Sequence, residues 1–238
     1  IKIDFNITSI LLSKTMKSFQ QSFRLYDYNV YDDPNSEDFV IQIFGIHSNQ
    51  TTKSSILIHD FLPFFFVKIP EQWNTRQIDD FVEHIQQKTH TKETLISYDT
   101  SEHHTLYGFD NNHLHSFLKL EFQNMKALSM CKNLWYFYDD HRNKKLLREG
   151  YNYKDEATFL YEAHIPPLLR FFHIHNILPT GWISFETLHE EPLLSYTLSC
   201  DDIKPVDKDD ATPFLICSYD IEASSSHGDF PLPKKTIK

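Results

Sequence analysis

The first part of the chain alternates between short apolar segments and polar breaks, which restricts it to a fold built mainly on β-sheets. Residues 23–30 carry Phe23, Leu25 and Val30 among tyrosines, and residues 39–46 form a second apolar run. The polar residues 32–37 between them have the length and composition of a turn. The sequence therefore predicts an antiparallel hairpin near the start of the chain.

Apolar periodicity downstream predicts further strands and a few helices. Pro63 interrupts the apolar run 55–69, because proline cannot donate the ladder hydrogen bond of a central strand. The clearest helix is 75–88, which Thr75 can cap and whose apolar face is formed by Ile78, Phe81, Val82 and Ile85. The other predicted helices are 124–132, 141–148 and 167–176, and the other predicted strands are 94–98, 117–122, 182–185, 194–203 and 213–222. The acidic stretch 201–210 is expected to be a loop or linker.

Composition excludes several classes of function. The 238 residues include 5 Gly and neither G-x-G-x-x-G nor a Walker A motif, which argues against a glycine-rich phosphate loop. The formal net charge of −10 argues against a general electrostatic DNA binder but leaves room for a local nucleic-acid site. Three scattered cysteines match neither a disulfide framework nor a C-x-x-C zinc site and favour an intracellular chain. We expect no membrane span, because no apolar run approaches about 20 residues. We expect no signal peptide, because the first residues, Ile1-Lys2-Ile3-Asp4-Phe5, lack a basic n-region and an apolar h-region.

Two carboxylates close the last apolar run. Asp220 and Glu222 are two positions apart, so on a strand their side chains point the same way, with Cα atoms about 6.5–7 Å apart. Such a pair suits hard divalent cations, and two Mg²⁺ or Mn²⁺ ions about 4 Å apart could support phosphodiester hydrolysis. A solvated strand end explains the same spacing, because short motifs such as Asp-x-Glu recur by chance. The residues alone leave both interpretations open.

Five segments, taken in order, resemble family B DNA polymerases. Residues 218–222 (Ser-Tyr-Asp-Ile-Glu) and 228–231 (Gly-Asp-Phe-Pro) are similar to the family's first exonuclease motif, a strand ending in F-D-I-E and a loop with G-x-F-P. The other similar segments are Ile43-Phe44-Gly45, residues 61–70, Gly108-Phe109 with residues 117–120, and the block Tyr161-Glu162, Ile165, Leu169-Arg170-Phe171, Ile177 and Trp182. Residues 171–174 and 179–182 look like polymerases of nucleocytoplasmic large DNA viruses. The resemblance covers roughly residues 20 to 235.

The resemblance implies an α+β fold in two parts. Residues 1–207 would form the polymerase N-terminal domain, with mixed, largely antiparallel sheets and helices, along the path of the single-stranded template. Residues 208–238 would begin the 3′–5′ exonuclease domain, an RNase H-like α/β fold whose first strand is 213–222. Asp220 and Glu222 would then be catalytic ligands of Mg²⁺ (or Mn²⁺) in proofreading.

The resemblance also implies a parent enzyme with further sites. The polymerase motifs D-x-x-S-L-Y-P-S and Y-G-D-T-D-S do not occur in these 238 residues, so we expect the chain as given to lack polymerase and appreciable exonuclease activity. The whole enzyme would replicate viral double-stranded DNA, with primer–template DNA, dNTPs and a candidate sliding clamp as partners, in the host nucleus or a cytoplasmic viral factory. Two alternatives are a non-catalytic nucleic-acid- or protein-binding module and part of a freestanding RNase H-like nuclease.

Smaller groups of residues also suggest contacts. Lys144, Lys145 and Arg148 are candidates for template phosphates, although a solvated helix face explains them equally well. Tyr136 and Tyr138 are candidates for stacking on bases. The histidine clusters are expected to face solvent, because no third ligand has the spacing of a metal site; they are His103/His104, His113/His115 and His173/His175.

The middle of the chain contains one predicted ion pair. Glu162 and Arg170 are expected to pair near the domain junction, as a structural feature.

Phe64 and Phe66 stand where the family has tyrosines, which removes two hydroxyls and favours a packing role.

Overall fold

Thirteen strands and three α-helices lie in the part of the chain that the computed structural model describes, residues 17–105, 110–212 and 216–220. The strands are β1 (Phe19–Asp32), β2 (Phe39–His47), β3 (Lys53–Ile58), β4 (Phe64–Lys68), β5 (Leu95–His103), β6 (His115–Phe122), β7 (Tyr136–Tyr138), β8 (Lys144–Leu146), β9 (Tyr151–Tyr153), β10 (Glu156–Tyr161), β11 (Trp182–Thr187), β12 (Ser195–Leu198) and β13 (Lys204–Val206). The helices are α1 (Thr75–Thr89), α2 (Met125–Lys132) and α3 (Pro167–Ile174), with short 3-10 helices at Asn133–Trp135 and Cys200–Asp202. None of the described helices is long and apolar enough to cross a membrane.

Six strands form the first sheet, in the order β12–β3–β2–β1–β11–β13. The predicted hairpin is confirmed, because β1 pairs antiparallel with β2 and Val30 lies opposite Ile41. β12 runs parallel to β3, whereas the other pairings in this sheet are antiparallel. Phe23, Ile41 and Ile183 from three neighbouring strands pack in one apolar core with Phe171 of α3.

Gly45 in β2 is required by the close approach of β1. A Cβ atom at this position would lie 2.1 Å from the carbonyl oxygen of Arg24 and 2.5 Å from the ring of Phe23. The glycine in the segment Ile43-Phe44-Gly45 is therefore a packing requirement of the hairpin.

The second sheet has the order β5–β6–β4–β10–β9, and its pairings are antiparallel. Its core joins Phe65 of β4 and Leu118 of β6 to Phe81 of α1. The predicted break at Pro63 is confirmed, since β4 starts directly after it and the Pro63 carbonyl accepts a hydrogen bond from the Phe122 amide (2.9 Å). The predicted α+β fold of mixed, largely antiparallel sheets with helices is likewise confirmed.

Helix α1 agrees with its prediction except at its first residue. Phe81, Val82 and Ile85 are buried as the periodicity predicts. The cap is Asn74 rather than Thr75: its side chain accepts a hydrogen bond from the Gln77 amide (3.1 Å), and the Gln77 side chain accepts one from the Asn74 amide (3.0 Å). This reciprocal capping box satisfies two amides that a helix start leaves unpaired.

The predicted helix 141–148 is wrong, because this segment contains part of the turn and the second strand, β8, of the hairpin that β7 begins. The Asp139 carboxylate accepts hydrogen bonds from the amides of His141 (3.0 Å) and Asn143 (2.8 Å), and Arg142 has a left-handed φ of 61°. An aspartate that caps a turn in this way competes with helix formation.

The predicted strand 194–203 is shorter than expected. β12 ends at Leu198, and a 3-10 helix follows at Cys200–Asp202. The Asp60 carboxylate accepts hydrogen bonds from the hydroxyl of Ser199 (2.5 Å) and the amide of Cys200 (3.0 Å), which turns the chain away from the sheet.

The predicted strand 213–222 is not found in its described part. Residues 216–220 have no strand structure and are exposed, whereas 213–215 and 221–222 lie outside the described residues. A strand requires a neighbour that shares its backbone hydrogen bonds, and no described strand pairs with residues 216–220.

Candidate functional site

Asp220 is the one predicted site residue that the structure describes. It is exposed at the end of the segment 216–220, with Ile216 and Tyr219 also exposed. Glu222, the second predicted catalytic and metal-binding acid, lies outside the described residues, as do Gly108-Phe109 and residues 228–231. The roles of Asp220 and Glu222 therefore stay predictions. The accessible Asp220 carboxylate offers the hard oxygen donor that Mg²⁺ or Mn²⁺ prefers.

The segment that leads to Asp220 is attached to the first sheet. The Tyr26 hydroxyl donates to the Thr212 hydroxyl (2.8 Å), and the Trp182 indole donates to the Asp210 carbonyl (3.2 Å). The ammonium of Lys208 lies 4.2 Å from the centre of a Trp182 ring. These contacts fix the chain eight residues before Asp220.

The acidic stretch 201–210 is more ordered than a linker. Its first part is the 3-10 helix Cys200–Asp202, and β13 pairs antiparallel with β11, placing Val206 opposite Trp182. The prediction of a loop is therefore wrong for residues 201–202 and 204–206, whereas residues 207–210 have no regular secondary structure, as predicted. The edge of β11 offers unpaired backbone groups, and pairing with β13 satisfies them despite the acidic composition.

The predicted pair of Glu162 and Arg170 is confirmed. One guanidinium nitrogen of Arg170 lies 3.1 Å from the Glu162 carboxylate, and another donates to the Glu162 carbonyl oxygen (2.8 Å). The Arg170 side chain is 8% exposed and its guanidinium lies 4.3 Å from the ring centre of Phe64. Phe64 is buried, so its predicted packing role is confirmed. Burial lowers the pKa of Arg170, and the Glu162 carboxylate opposes that shift.

This ion pair joins the two sheets through α3. Glu162 directly follows β10 of the second sheet, whereas Arg170 lies in α3, which packs on the first sheet through Phe171. The left-handed φ of 52° at Glu162 turns its carbonyl and carboxylate toward the same guanidinium. The arrangement holds two packed layers together and has no reactive group of its own.

The hairpin of β7 and β8 exposes aromatic rings beside lysines. Phe137 and Tyr138 are exposed, whereas Trp135 is fully buried and donates from its indole to the Thr158 carbonyl (3.0 Å). The Lys144 ammonium lies 4.6 Å from the centre of the Tyr136 ring. Exposed rings beside cations can stack on bases, so Tyr138 stays a candidate contact for single-stranded nucleic acid.

The predicted basic patch is partly engaged in internal contacts. Lys145 forms an ion pair with Asp139 (2.8 Å), and the half-buried Lys132 donates to the Ala163 carbonyl (3.3 Å). Burial, with a smaller contribution from Lys144, lowers the pKa of Lys132. The Lys144 ammonium also donates to the Asn133 side-chain oxygen. Phosphate contacts in this region would therefore fall mainly to the exposed Arg148.

The prediction that histidine pairs face solvent is wrong for His115, whose side chain is 13% exposed. One carboxylate oxygen of Glu71 contacts both histidines of the pair His113/His115. It lies 2.8 Å from His113 Nε2 and 3.2 Å from His115 Nδ1. Asp110 lies on the other side of His115, with 2.8 Å between Oδ2 and Nε2. The expected lack of a third ligand was wrong because Glu71 is distant in sequence and reaches the cluster only through the fold.

The C-terminal third of the chain matches a known family. Residues 159–237 match the family model described as DNA polymerase family B, exonuclease domain. The resemblance to family B DNA polymerases is confirmed. The matched range includes the ion pair of Glu162 and Arg170, Trp182, Asp220 and Glu222. It begins inside β10, well before residue 208, so the boundary between 1–207 and 208–238 stays a prediction.

Several viral DNA polymerases are similar to nearly the whole chain. The DNA polymerase of Phaeocystis pouchetii virus is 37% identical over 246 residues, covering 92% of this chain and 23% of that protein. That of Acanthamoeba polyphaga mimivirus is 32% identical over 244 residues, covering 92% of this chain and 14% of that protein. The chain thus spans a quarter or less of the length of these relatives.

A cellular polymerase and a solved structure are more distantly similar. The DNA polymerase delta catalytic subunit of Dictyostelium discoideum is 23% identical over 214 residues, covering 82% of this chain and 19% of that protein. The structure of the family B DNA polymerase from the hyperthermophilic archaeon Pyrobaculum calidifontis is 12% identical, with a TM-score of 0.49, and the match covers 82% of this chain and 21% of that one.

Proposed function

We propose that this chain is the N-terminal part of a family B DNA-directed DNA polymerase that replicates viral double-stranded DNA. In this proposal residues 1–207 form the N-terminal domain and residues 208–238 begin the 3′–5′ exonuclease domain. The observation that carries the proposal is the 37% identity with a viral DNA polymerase along 92% of the chain.

In the proofreading reaction, Asp220 and Glu222 would hold Mg²⁺ (or Mn²⁺). The bound ions would supply a polarised water and stabilise the leaving oxygen during phosphodiester hydrolysis. The contribution of this chain would be to supply both carboxylates from the segment that follows Thr212. The contacts of Tyr26 with Thr212 and of Trp182 with Asp210 support that role, because they fix the preceding segment.

The proposed partners are primer–template DNA and dNTPs, with a sliding clamp as a further candidate. The proposed site of action is intracellular, in the host nucleus or a cytoplasmic viral factory. The similarity to viral polymerases supports these proposals. The exposed Phe137 and Tyr138 offer a surface on which a single-stranded template could stack.

The 238 residues alone are proposed to be inactive, since they include two acids of the exonuclease site and no polymerase motif. The test compares this chain with a longer product of the same reading frame, which should contain Y-G-D-T-D-S beyond Lys238. We expect Mg²⁺-dependent primer extension and 3′–5′ digestion from the longer protein and neither from the 238 residues. A stop codon soon after Lys238, or clear Mg²⁺-dependent digestion by the short chain, would contradict the proposal.

The assignment of the acids is tested in the longer protein. Asp220→Ala and Glu222→Ala should each abolish digestion of a mismatched primer and leave primer extension intact. Asp209→Ala removes an exposed acid of the preceding segment and is the matched control, which should retain both activities. If Asp220→Ala digests the mismatched primer at the normal rate, Asp220 is not a residue of the exonuclease site.

A further inference from the structure

Two loops of the second sheet bring a Glu, two His and an Asp together. Glu71 lies in the segment after β4, and Asp110, His113 and His115 lie in and directly after the loop between β5 and β6. One ligand atom each from Glu71, His113 and His115 falls within 4.8 Å of the other two. Among the described residues, this is the one group of three or more such side chains with that spacing.

The spacing of these atoms is close to that of a bound transition metal. Tetrahedral ligands with bonds of about 2.0–2.1 Å lie roughly 3.3 Å apart. The Glu71 carboxylate oxygen lies 2.8 Å from His113 Nε2 and 3.2 Å from His115 Nδ1. The two imidazole rings are nearly perpendicular, at 76°, with centroids 4.8 Å apart. Small side-chain rotations would therefore place all three atoms around one ion.

Asp110 supplies the outer contact that metal-bound histidines need. When His115 Nδ1 faces the ion, its Nε2–H points at the Asp110 carboxylate, 2.8 Å away. Ligating histidines almost always donate their second N–H to such an acceptor, which fixes the ring and raises its basicity.

We propose that Glu71, His113 and His115 bind one late first-row divalent metal such as Zn²⁺, with Asp110 orienting His115. Two imidazoles and one carboxylate favour Zn²⁺ and its neighbours over Mg²⁺, which prefers oxygen ligands. Glu71 and His113 are each about half exposed, so a fourth position stays open to water. The site uses neither Asp220 nor Glu222 and does not depend on the proposed polymerase function.

The metal would tie two loops to the rest of the sheet. Glu71 precedes Gln72 and Trp73, and both of those side chains donate hydrogen bonds to Glu156 of β10. An ion bound by Glu71 and by the histidines at the start of β6 would thus connect β6, through the segment of residues 71–73, to Glu156 of β10. Binding should therefore stabilise the folded chain, because a metal that binds only the native state raises its stability.

The test is equilibrium dialysis of the 238-residue chain with Zn²⁺ in excess Mg²⁺, which occupies sites built of oxygen ligands. We expect one saturable Zn²⁺ per chain, and visible Co²⁺ absorption bands on substitution. Glu71→Gln, His113→Asn and His115→Asn should each remove this binding, and Asp110→Asn should weaken it roughly 10–100-fold. His189→Asn, which changes an exposed histidine elsewhere, is the matched control and should bind Zn²⁺ like the wild type.

A second measurement separates metal binding from a folding defect. Zn²⁺ should raise the thermal unfolding midpoint of the wild type and of His189→Asn but not that of His113→Asn. His113 is half exposed, so its replacement leaves the core intact. The proposal is overturned if the ligand variants bind Zn²⁺ as tightly as the wild type, or if Zn²⁺ binding is non-saturable and the midpoint does not change.

Discussion

The buried ion pair of Arg170 and Glu162 leads to the sharpest stability prediction. Glu162→Gln keeps the shape of the side chain and removes its charge, so the guanidinium of Arg170 stays buried without a counter-charge. Breaking a fully buried pair costs about 3–5 kcal/mol. Glu162 is 32% exposed and its carbonyl still accepts a hydrogen bond from Arg170, so water and the backbone reduce the cost. We expect a loss of about 1.5–3 kcal/mol in the free energy of unfolding.

Replacing both partners should cost less than replacing one. In Glu162→Gln/Arg170→Met no charge remains buried, and a methionine at 170 can contact the ring of Phe64, which now faces the guanidinium at 4.3 Å. We expect the double variant to lie within about 1 kcal/mol of the wild type, as for other buried pairs replaced by apolar residues.

Urea unfolding followed by tryptophan fluorescence measures these differences. With an m-value of about 2 kcal/mol/M, a loss of about 2 kcal/mol lowers the midpoint by about 1 M. Asp80→Asn is the matched control, because it breaks the exposed pair of Asp80 and Lys154 (3.3 Å) and should cost less than about 1 kcal/mol. The reasoning fails if Glu162→Gln unfolds at the same midpoint as Asp80→Asn, or if the double variant is less stable than Glu162→Gln.

Three further predictions concern packing, capping and pH. Gly45→Ala should cost more than about 2 kcal/mol in unfolding free energy, because the new methyl group would overlap the Arg24 carbonyl; unchanged urea unfolding would contradict this. Asn74→Ala should cost about 1 kcal/mol through loss of the helix cap, whereas Thr75→Ala should cost little, and equal midpoints for the two variants would refute the assignment of the cap. Burial lowers the pKa of His47, so the unfolded chain binds a proton at this residue more readily than the folded chain does. The stability that His47 contributes should therefore be complete above about pH 6.5 and fall as the pH decreases. If the wild type loses no more unfolding free energy between pH 7.5 and pH 5 than His47→Gln does, His47 is not the cause of the loss.

Local pattern was enough to predict much of the secondary structure. The hairpin of β1 and β2, the break at Pro63 and the buried face of α1 follow from the alternation, the missing proline donor and the helical period, each of which acts within a few residues. The predictions failed where one side chain redirected its neighbours. Asp139 caps a turn in a segment whose basic composition suggested a helix, and Asp60 ends β12 from far along the chain.

For the candidate sites too, the sequence predicted what depends on nearby residues and motif order, and the fold decided the rest. The pairing of Glu162 and Arg170 could be predicted because the two residues are eight positions apart in one motif, but its burial against Phe64 required the packing of α3 between the sheets. Asp220 and Glu222 were identified from their order in a motif, and their roles still rest on that order.

The cluster of Glu71, His113 and His115 shows the limit of the sequence most clearly. No spacing connects residue 71 to residues 113 and 115; the antiparallel pairing of β4 with β6 brings their loops together. Periodicity, turn residues and motif order are local properties and can be read from the chain. Contacts between distant residues depend on strand register and sheet order, which arise from burying many apolar side chains at once.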